Sequence, residues 1–166
     1  MDVNEKIINT FLNSKNYFTI VNIPFKVKGP KGGVNYSNID ILAVDNKNNF
    51  YDFEIKWRSV FSIGATDKET VESLINQLTR KERKEKIKEL IGDKKYKKIL
   101  VTTRIMFGKR KDKQEKFIKR FNDKGIDIWF FDDIIPELVK NIKILGRYDE
   151  EILQIIRIIK QFKIDF

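Results

Sequence analysis

Two short apolar segments joined by a polar turn most constrain the fold. Residues 37–44 read Ser-Asn-Ile-Asp-Ile-Leu-Ala-Val, and residues 50–57 read Phe-Tyr-Asp-Phe-Glu-Ile-Lys-Trp. Their β-branched and aromatic residues predict two strands. The Asp and Asn residues of 45–49 tolerate left-handed backbone, so we expect a hairpin. The first segment is apolar almost throughout, which is typical of a strand buried on both faces.

Hydrophobic periodicity predicts the other elements of a single α/β domain. In chain order they are a helix at 4–14, a strand at 16–27, a helix from a Thr66 cap to about Leu90 closed by Gly92, a strand at 96–103, a helix at 111–123, a strand at 125–131, a helix capped by Asp132 or Asp133, and a helix at 147–162. Pro24 places the first strand at a sheet edge or bulge. We expect an antiparallel meander of three strands, followed by two strands reached by right-handed crossovers and parallel to a neighbour. The 166 residues fit one domain, with a core to about residue 131 and a helical extension at 132–166.

The composition excludes several kinds of chemistry. The chain has no Cys and no His, which rules out disulfides, thiolate or imidazole zinc sites, a cysteine nucleophile and a histidine base. Any metal would therefore be held by oxygen ligands, which favour Mg²⁺ or Mn²⁺. Apolar runs fall short of the roughly 18 residues that span a bilayer, and the N-terminal residues carry acids, so we expect a cytoplasmic protein.

The positive charge is concentrated in one segment. Of the net charge of +10, residues 80–120 contribute 18 Lys and Arg against 6 acids, while the rest of the chain has 16 against 18. A polyanion is a natural partner for such a segment, because phosphate contacts release condensed counterions. A solvated, lysine-rich helix would give the same composition.

Four charged residues of the predicted hairpin suggest a metal site. Asp52, Glu54 and Lys56 alternate along one strand and share a face. Asp40 interrupts the apolar run of the other strand, where an acid is costly unless it is paired, neutralised or bound to a cation. A divalent ion between two carboxylates can stabilise phosphoryl oxygens and generate hydroxide near neutral pH. Asp52 fits either a second metal or solvation at a strand edge.

Residues Ser37 to Val44, followed after one hairpin by Glu54-Ile55-Lys56, resemble the PD-(D/E)XK nuclease superfamily. This is the fold of many restriction enzymes and archaeal Holliday-junction resolvases, and it implies a restriction-endonuclease-like αβββαβ core with a mixed sheet flanked by helices. The resemblance implies that Asp40, Glu54 and the Ile55 carbonyl are metal ligands and that Lys56 orients the attacking water.

Two further residues match positions that some members of the superfamily use. Glu5 on the first helix and Gln77 on the helix after the third strand are the added catalytic candidates. One branch of the superfamily expects a Tyr four residues after that Gln, where this chain has Lys81.

Each of these residues also has a purely structural interpretation. Asp40 could bind turn amides at a strand end, Glu54 and Lys56 could form an ion pair, and Glu5 could interact with the helix dipole. Trp57 could stack on a splayed base or pack in the core. The isoleucines of the last helix form either a core face or a dimer face.

The leading hypothesis is a Mg²⁺- or Mn²⁺-dependent endonuclease that acts on duplex or branched DNA. A homodimer is one expected form of the protein. The alternative is a catalytically inactive nucleic-acid-binding module or a structural subunit of a repair or restriction complex. The basic residues expected to contact DNA are Lys28, Lys31, Arg58, Arg80, Lys81, Lys84 and Lys88.

Overall fold

The chain forms a mixed α/β structure with helices on both sides of one sheet. The computed structural model describes residues 1–29, 32–57 and 67–162, with only the backbone described for residues 67–70. The elements are α1 (Val3–Ser14), β1 (Phe18–Lys28), β2 (Val34–Val44), β3 (Phe50–Lys56), α2 (Asp67–Thr79), α3 (Lys81–Ile91), β4 (Tyr96–Thr102), a 3-10 turn (Arg104–Phe107), α4 (Lys111–Asn122), β5 (Ile126–Phe130), α5 (Phe131–Asn141) and α6 (Glu151–Gln161). Within the described ranges, no helix is long and apolar enough to span a membrane.

The sheet has five strands in the order β1-β2-β3-β4-β5. The first three strands are antiparallel neighbours, and β4 and β5 run parallel to β3. These features confirm the predicted meander and the predicted parallel pairing of β4 and β5, while the right-handed crossovers stay a prediction. β1 is an edge strand, where the missing N–H of Pro24 is tolerated.

Three groups of buried side chains hold the helices to the sheet. Ile8 and Leu12 of α1 pack with Phe53 and Phe131, beneath α5 and α6. On the other face, α2 and α4 pack over β4 and the 3-10 turn. Ile87 of α3 packs against the far part of the β1–β2 hairpin. The charged face of β3 therefore lies on the side covered by α2 and α3.

β1 and β2 both change sides within the hairpin. Side chains two residues apart on a strand normally share a face, but Val21 packs on the α1 side while Ile23 packs with α3. Asn22 lies between them with φ of 52°, in the left-handed region that Asn tolerates. Ile41 and Ile39 differ in the same way on β2. Asp40 lies at that change of side.

The predicted helix from Thr66 to Leu90 is wrong as one element. It is two helices, separated at Arg80, whose ψ of 148° is extended. The break lets α3 turn Arg83 and Ile87 toward the sheet, where both are fully buried. Gly92 closes α3 as predicted, and Thr66 lies outside the described residues.

Two predicted helix starts are also wrong. α5 begins at Phe131, so Asp132 and Asp133 lie in its first turn and do not cap it. Their carboxylates accept hydrogen bonds from the backbone N and the guanidinium of Arg104, at 2.9 and 2.6 Å. The last helix begins at Glu151, after Glu150 accepts the Leu153 N–H at 3.1 Å.

Candidate active site

Asp40 lies where β2 separates from β3. The pairing of the two strands ends at Ile41 and Phe53. Asp40 directly precedes Ile41 on β2, and its Oδ2 accepts the backbone N–H of Ile55 at 2.7 Å. The side chain thus satisfies an amide that a continued ladder would have paired. The amide belongs to a strand, not to a turn, and Asp40 is only 8% exposed.

The surroundings of Asp40 oppose its ionisation. Burial, followed by the negative charge of Glu54, raises the pKa of Asp40 to about 7, and Glu5 adds to the rise. The Ile55 N–H and the Lys56 ammonium act in the opposite direction. A bound cation would favour the ionised form of both neighbouring carboxylates.

Glu54 is fully buried between two cations. Its Oε2 accepts from Nη1 of Arg83 at 2.6 Å, and Lys56 Nζ lies 2.7 Å from its Oε1. Among the described residues, Oε1 accepts no hydrogen bond of good geometry. Lys56 is 28% exposed, so its ammonium connects the buried carboxylate to the surface.

Arg83 is the site residue that the sequence analysis missed. Its guanidinium is fully buried. It donates hydrogen bonds from Nε and Nη2 to the Asp52 carboxylate, at 3.0 and 2.6 Å. Nη2 also donates to the Phe53 carbonyl at 3.2 Å. Asp52 is fully buried, so its interpretation as a solvated strand-edge residue is wrong, and the second-metal interpretation stays a prediction. One signal was available, because Arg83 is four residues before the apolar Ile87 and shares its helix face.

Burial and ion pairing have opposite effects on the pKa values of Asp52 and Arg83. Burial raises the pKa of Asp52, and the Arg83 guanidinium opposes that rise. Burial would lower the pKa of Arg83, but the charges of Asp52 and Glu54 raise it above its ordinary value. Hydrogen bonds to all three guanidinium nitrogens offset the loss of solvation.

Glu5 lies near Asp40 and also stabilises its own helix. Glu5 N donates to Asp2 Oδ1 at 2.9 Å, and Asp2 N donates to Glu5 Oε2 at 3.2 Å, which forms a capping box. With its amide oriented to satisfy its neighbours, Asn22 also donates to Glu5 Oε2 at 3.2 Å. By contrast, half-buried Gln77 on α2 makes no described hydrogen bond to Asp40 or Glu54.

The basic residues predicted to contact DNA are partly neutralised where the structure describes them. On α3, Lys81 pairs with Glu85 at 3.5 Å, and Lys88 pairs with Asp93 at 2.6 Å. Lys84 is exposed, and Arg80 is half-buried at the helix break. Lys28 lies beside Glu82. Lys31 and Arg58 lie outside the described residues.

A second basic group follows β4. Lys109, Arg110 and Lys111 are exposed at the start of α4. They follow the 3-10 turn, at the end of β3 and β4 where Thr102 pairs with Lys56. This group was not singled out by sequence, because it belongs to the same long basic segment as α3.

An apolar pocket of about 430 Å³ lies beside Trp57. Trp57, which directly follows Lys56, lines it with an exposed fraction of 40%. Its ring packs edge-on against Phe131 with centroids 5.0 Å apart. Trp57 therefore contacts the core and also presents an accessible face. The other lining residues are Thr103, Ile105, Asp132, Ile135 and Pro136.

The donors available for a metal are few but chemically suitable. Within the described ranges, no group of three or more Asp or Glu side chains is placed to hold an ion. Glu54 is close enough to Asp40 to raise the pKa of the Asp40 carboxyl. Glu54 Oε1 is a buried oxygen that accepts no hydrogen bond of good geometry from the part of the chain that the structure describes. Two carboxylates and a backbone carbonyl would leave room for water and phosphate on a hard cation.

Comparison with known proteins adds no relative to this picture. The chain matches no model of a known protein family, and no curated protein matches it significantly in sequence. Function is therefore inferred from the site itself.

Proposed function

We propose that this protein is a Mg²⁺- or Mn²⁺-dependent deoxyribonuclease that hydrolyses phosphodiester bonds internally in DNA. One observation carries the proposal: Asp40 accepts the Ile55 N–H at 2.7 Å beside the fully buried Glu54, whose Oε1 faces Lys56 without a proper hydrogen bond. Glu54 is close enough to raise the pKa of the Asp40 carboxyl, and a bound cation would offset that repulsion. The nearby ammonium is suited to a reacting phosphate and its water.

The element order supports a restriction-endonuclease-like core. A helix, a three-stranded antiparallel meander, a helical pair and a parallel strand follow one another from α1 to β4. Asp40 and the Glu54-Ile55-Lys56 segment occupy adjacent strands of that meander. These positions match the motif on which the resemblance to PD-(D/E)XK nucleases rests.

The residues divide the chemistry among themselves. Asp40, Glu54 and the Ile55 carbonyl would hold the ion, which when bound would supply Lewis-acid stabilisation to the reacting phosphate. Lys56 would position the attacking water and stabilise negative charge on the phosphate. Arg83 holds Glu54 in a single orientation through the 2.6 Å contact to Oε2. Burial of both carboxylates keeps bulk water from competing with the phosphate.

The substrate class follows from charge. The exposed Lys and Arg of residues 80–120 favour an anionic backbone, and contacts of that kind do not depend on base sequence. We place duplex or branched DNA ahead of RNA. A catalytically inactive DNA-binding module is the second candidate, because the excess of Lys and Arg in residues 80–120 would favour DNA whether or not Asp40 and Glu54 hold a metal ion.

A cleavage panel tests the proposal. Single-stranded, duplex, flapped and four-way DNA, together with single-stranded RNA, would be incubated with the protein in Mg²⁺, Mn²⁺ or EDTA. We expect internal cuts in at least one DNA, with either metal and not in EDTA. Binding without cleavage of any DNA would favour the inactive module. Cleavage that persists in EDTA would contradict the metal-dependent mechanism.

A further inference from the structure

The Arg83 guanidinium occupies the space between two carboxylates that would otherwise attract a cation. It contacts both Asp52 oxygens, Oδ1 at 2.6 Å and Oδ2 at 3.0 Å. It also contacts Glu54 Oε2 at 2.6 Å. All three side chains are fully buried. The arrangement resembles an ion site in which a side-chain cation replaces the metal.

We propose that the active site takes a single divalent cation, because Arg83 permanently fills the position beside Asp52 and Glu54 where a second ion would bind. This inference rests on the proposed nuclease function. It assigns Arg83 as a positioning residue, since it acts through Glu54 and not on the phosphate.

The charges of the site are consistent with one ion. Arg83 opposes Asp52 and Glu54, and Lys56 opposes Glu54, so among the described residues Asp40 is the buried carboxylate without an ion pair. A single dication would compensate that charge. A second dication beside Asp52 would meet the fixed guanidinium, which already engages both Asp52 oxygens.

The contacts also give Glu54 its direction. Arg83 engages Oε2 on one side of the carboxylate, which leaves Oε1 toward Lys56. Without this contact, Glu54 could turn either oxygen toward Lys56. Arg83 therefore distinguishes the oxygen fixed by the buried guanidinium from the oxygen that lies beside the partly exposed Lys56 ammonium and would bind the ion.

Counting bound Mn²⁺ tests the proposal without relying on cleavage. Mn²⁺ titration followed by electron paramagnetic resonance and calorimetry would be performed on the full chain and its variants. We expect one Mn²⁺ in the wild type and one in Arg83→Lys, which keeps the charge. Arg83→Gln, which removes it, should bind two ions with the spectral signature of a coupled pair. Adding Asp52→Asn to Arg83→Gln should return the count to one.

Several results would overturn this assignment. Two ions in the wild type, or one ion in folded Arg83→Gln, would show that the guanidinium does not hold a cation position. If Arg83→Gln does not fold, Asp52→Asn alone decides: one ion in both Asp52→Asn and the wild type supports the proposal, whereas a fall from two to one overturns it. A wild type that binds no Mn²⁺ overturns the proposed function itself, which distinguishes the two failures.

Discussion

Asp40 is held in an environment that disfavours its charge. Its carboxylate is buried at the point where β2 changes side, and it faces Glu54. The Ile55 N–H at 2.7 Å only partly compensates. Such a residue lowers the stability of the metal-free protein whenever it is ionised.

This predicts a pH-dependent gain in stability for Asp40→Asn. The folded-state pKa of Asp40 is about 7, above its ordinary value of 3.8, so ionisation progressively destabilises the folded wild type as pH rises from about 4 to 7. The isosteric Asn avoids this loss and can still accept the Ile55 N–H. In EDTA at pH 8, urea unfolding should show the variant to be more stable by roughly 2 to 4 kcal/mol. Below about pH 4 the two proteins should converge.

Asp127→Asn is the matched control, because Asp127 is exposed on β5. It should follow the wild type across the same pH range. A variant Asp40→Asn that is less stable than the wild type at pH 8 would contradict the placement of Asp40 in a carboxylate cluster. Added Mg²⁺ should reduce the difference by stabilising the wild type alone.

Sequence reasoning placed Asp40, Glu54 and Lys56 on adjacent strands because strand alternation and turn residues are local signals. Arg83 was counted among surface charges, because its spacing of four residues from Ile87 was the one local signal and did not by itself mark burial. Its place depends on Asp52, 31 residues earlier in the chain. An isolated helix segment cannot show which of its cations meets a buried acid.

At the level of elements, the strands were easier to predict than the helix boundaries. The meander follows from the Asp45-to-Asn49 turn and the apolar runs on either side, both readable in sequence. The break at Arg80 has no Gly or Pro to mark it. The crossing of β1 at Asn22 was likewise unmarked, since a single Asn in the left-handed region gives no periodic signal.

The two basic groups should contribute unequally to DNA binding. Lys81 and Lys88 on α3 pair with acids, and Arg110 of the second group pairs with Asp112. The groups differ in position, because Lys109, Arg110 and Lys111 follow β4 at the Lys56 end of the sheet. Alanine substitution of this second group should weaken binding to duplex DNA. It should also reduce the slope of log K against log salt by about 2 to 3, since each lost phosphate contact removes about 0.9.

Substituting Lys81, Lys84 and Lys88 together should reduce the same slope by a smaller amount. A triple variant of Lys47, Lys124 and Lys143, which are exposed elsewhere, controls for the loss of net charge and should change the slope least. Equal slopes for all three variants would contradict a localised interface. Fluorescence anisotropy across a salt series provides the measurement.

The whole molecule brings the site together from three parts of the chain. α1 contributes Glu5, the antiparallel hairpin contributes Asp40 and Glu54, and α3 contributes Arg83. The α/β class and the strand order were predictable because they depend on repeated local patterns. The convergence of these parts depends on the change of side in β2 and on the break before α3, which single-segment patterns do not specify.

The last helix, α6, carries apolar side chains on its core face and some also on its exposed face. Ile152, Leu153 and Ile156 pack against the core, which confirms the core-face interpretation for that side. Ile155 and Ile158 are nearly half exposed on the other side. A homodimer through this exposed face stays a prediction.

The measurement that tests the central claim most directly is cleavage of the preferred DNA by site variants. Asp40→Asn and Glu54→Gln would be compared with Asp127→Asn and Glu89→Gln, which alter exposed acids. We predict that each site variant loses Mg²⁺-dependent cleavage by more than about 100-fold, beyond the loss typical of residues that only support a metal ligand. DNA binding in EDTA should stay within about twofold of the wild type for all four variants, because the ion is absent from every protein and the basic residues that contact DNA are unchanged. Cleavage by folded Asp40→Asn or Glu54→Gln at the wild-type rate would contradict the proposed site.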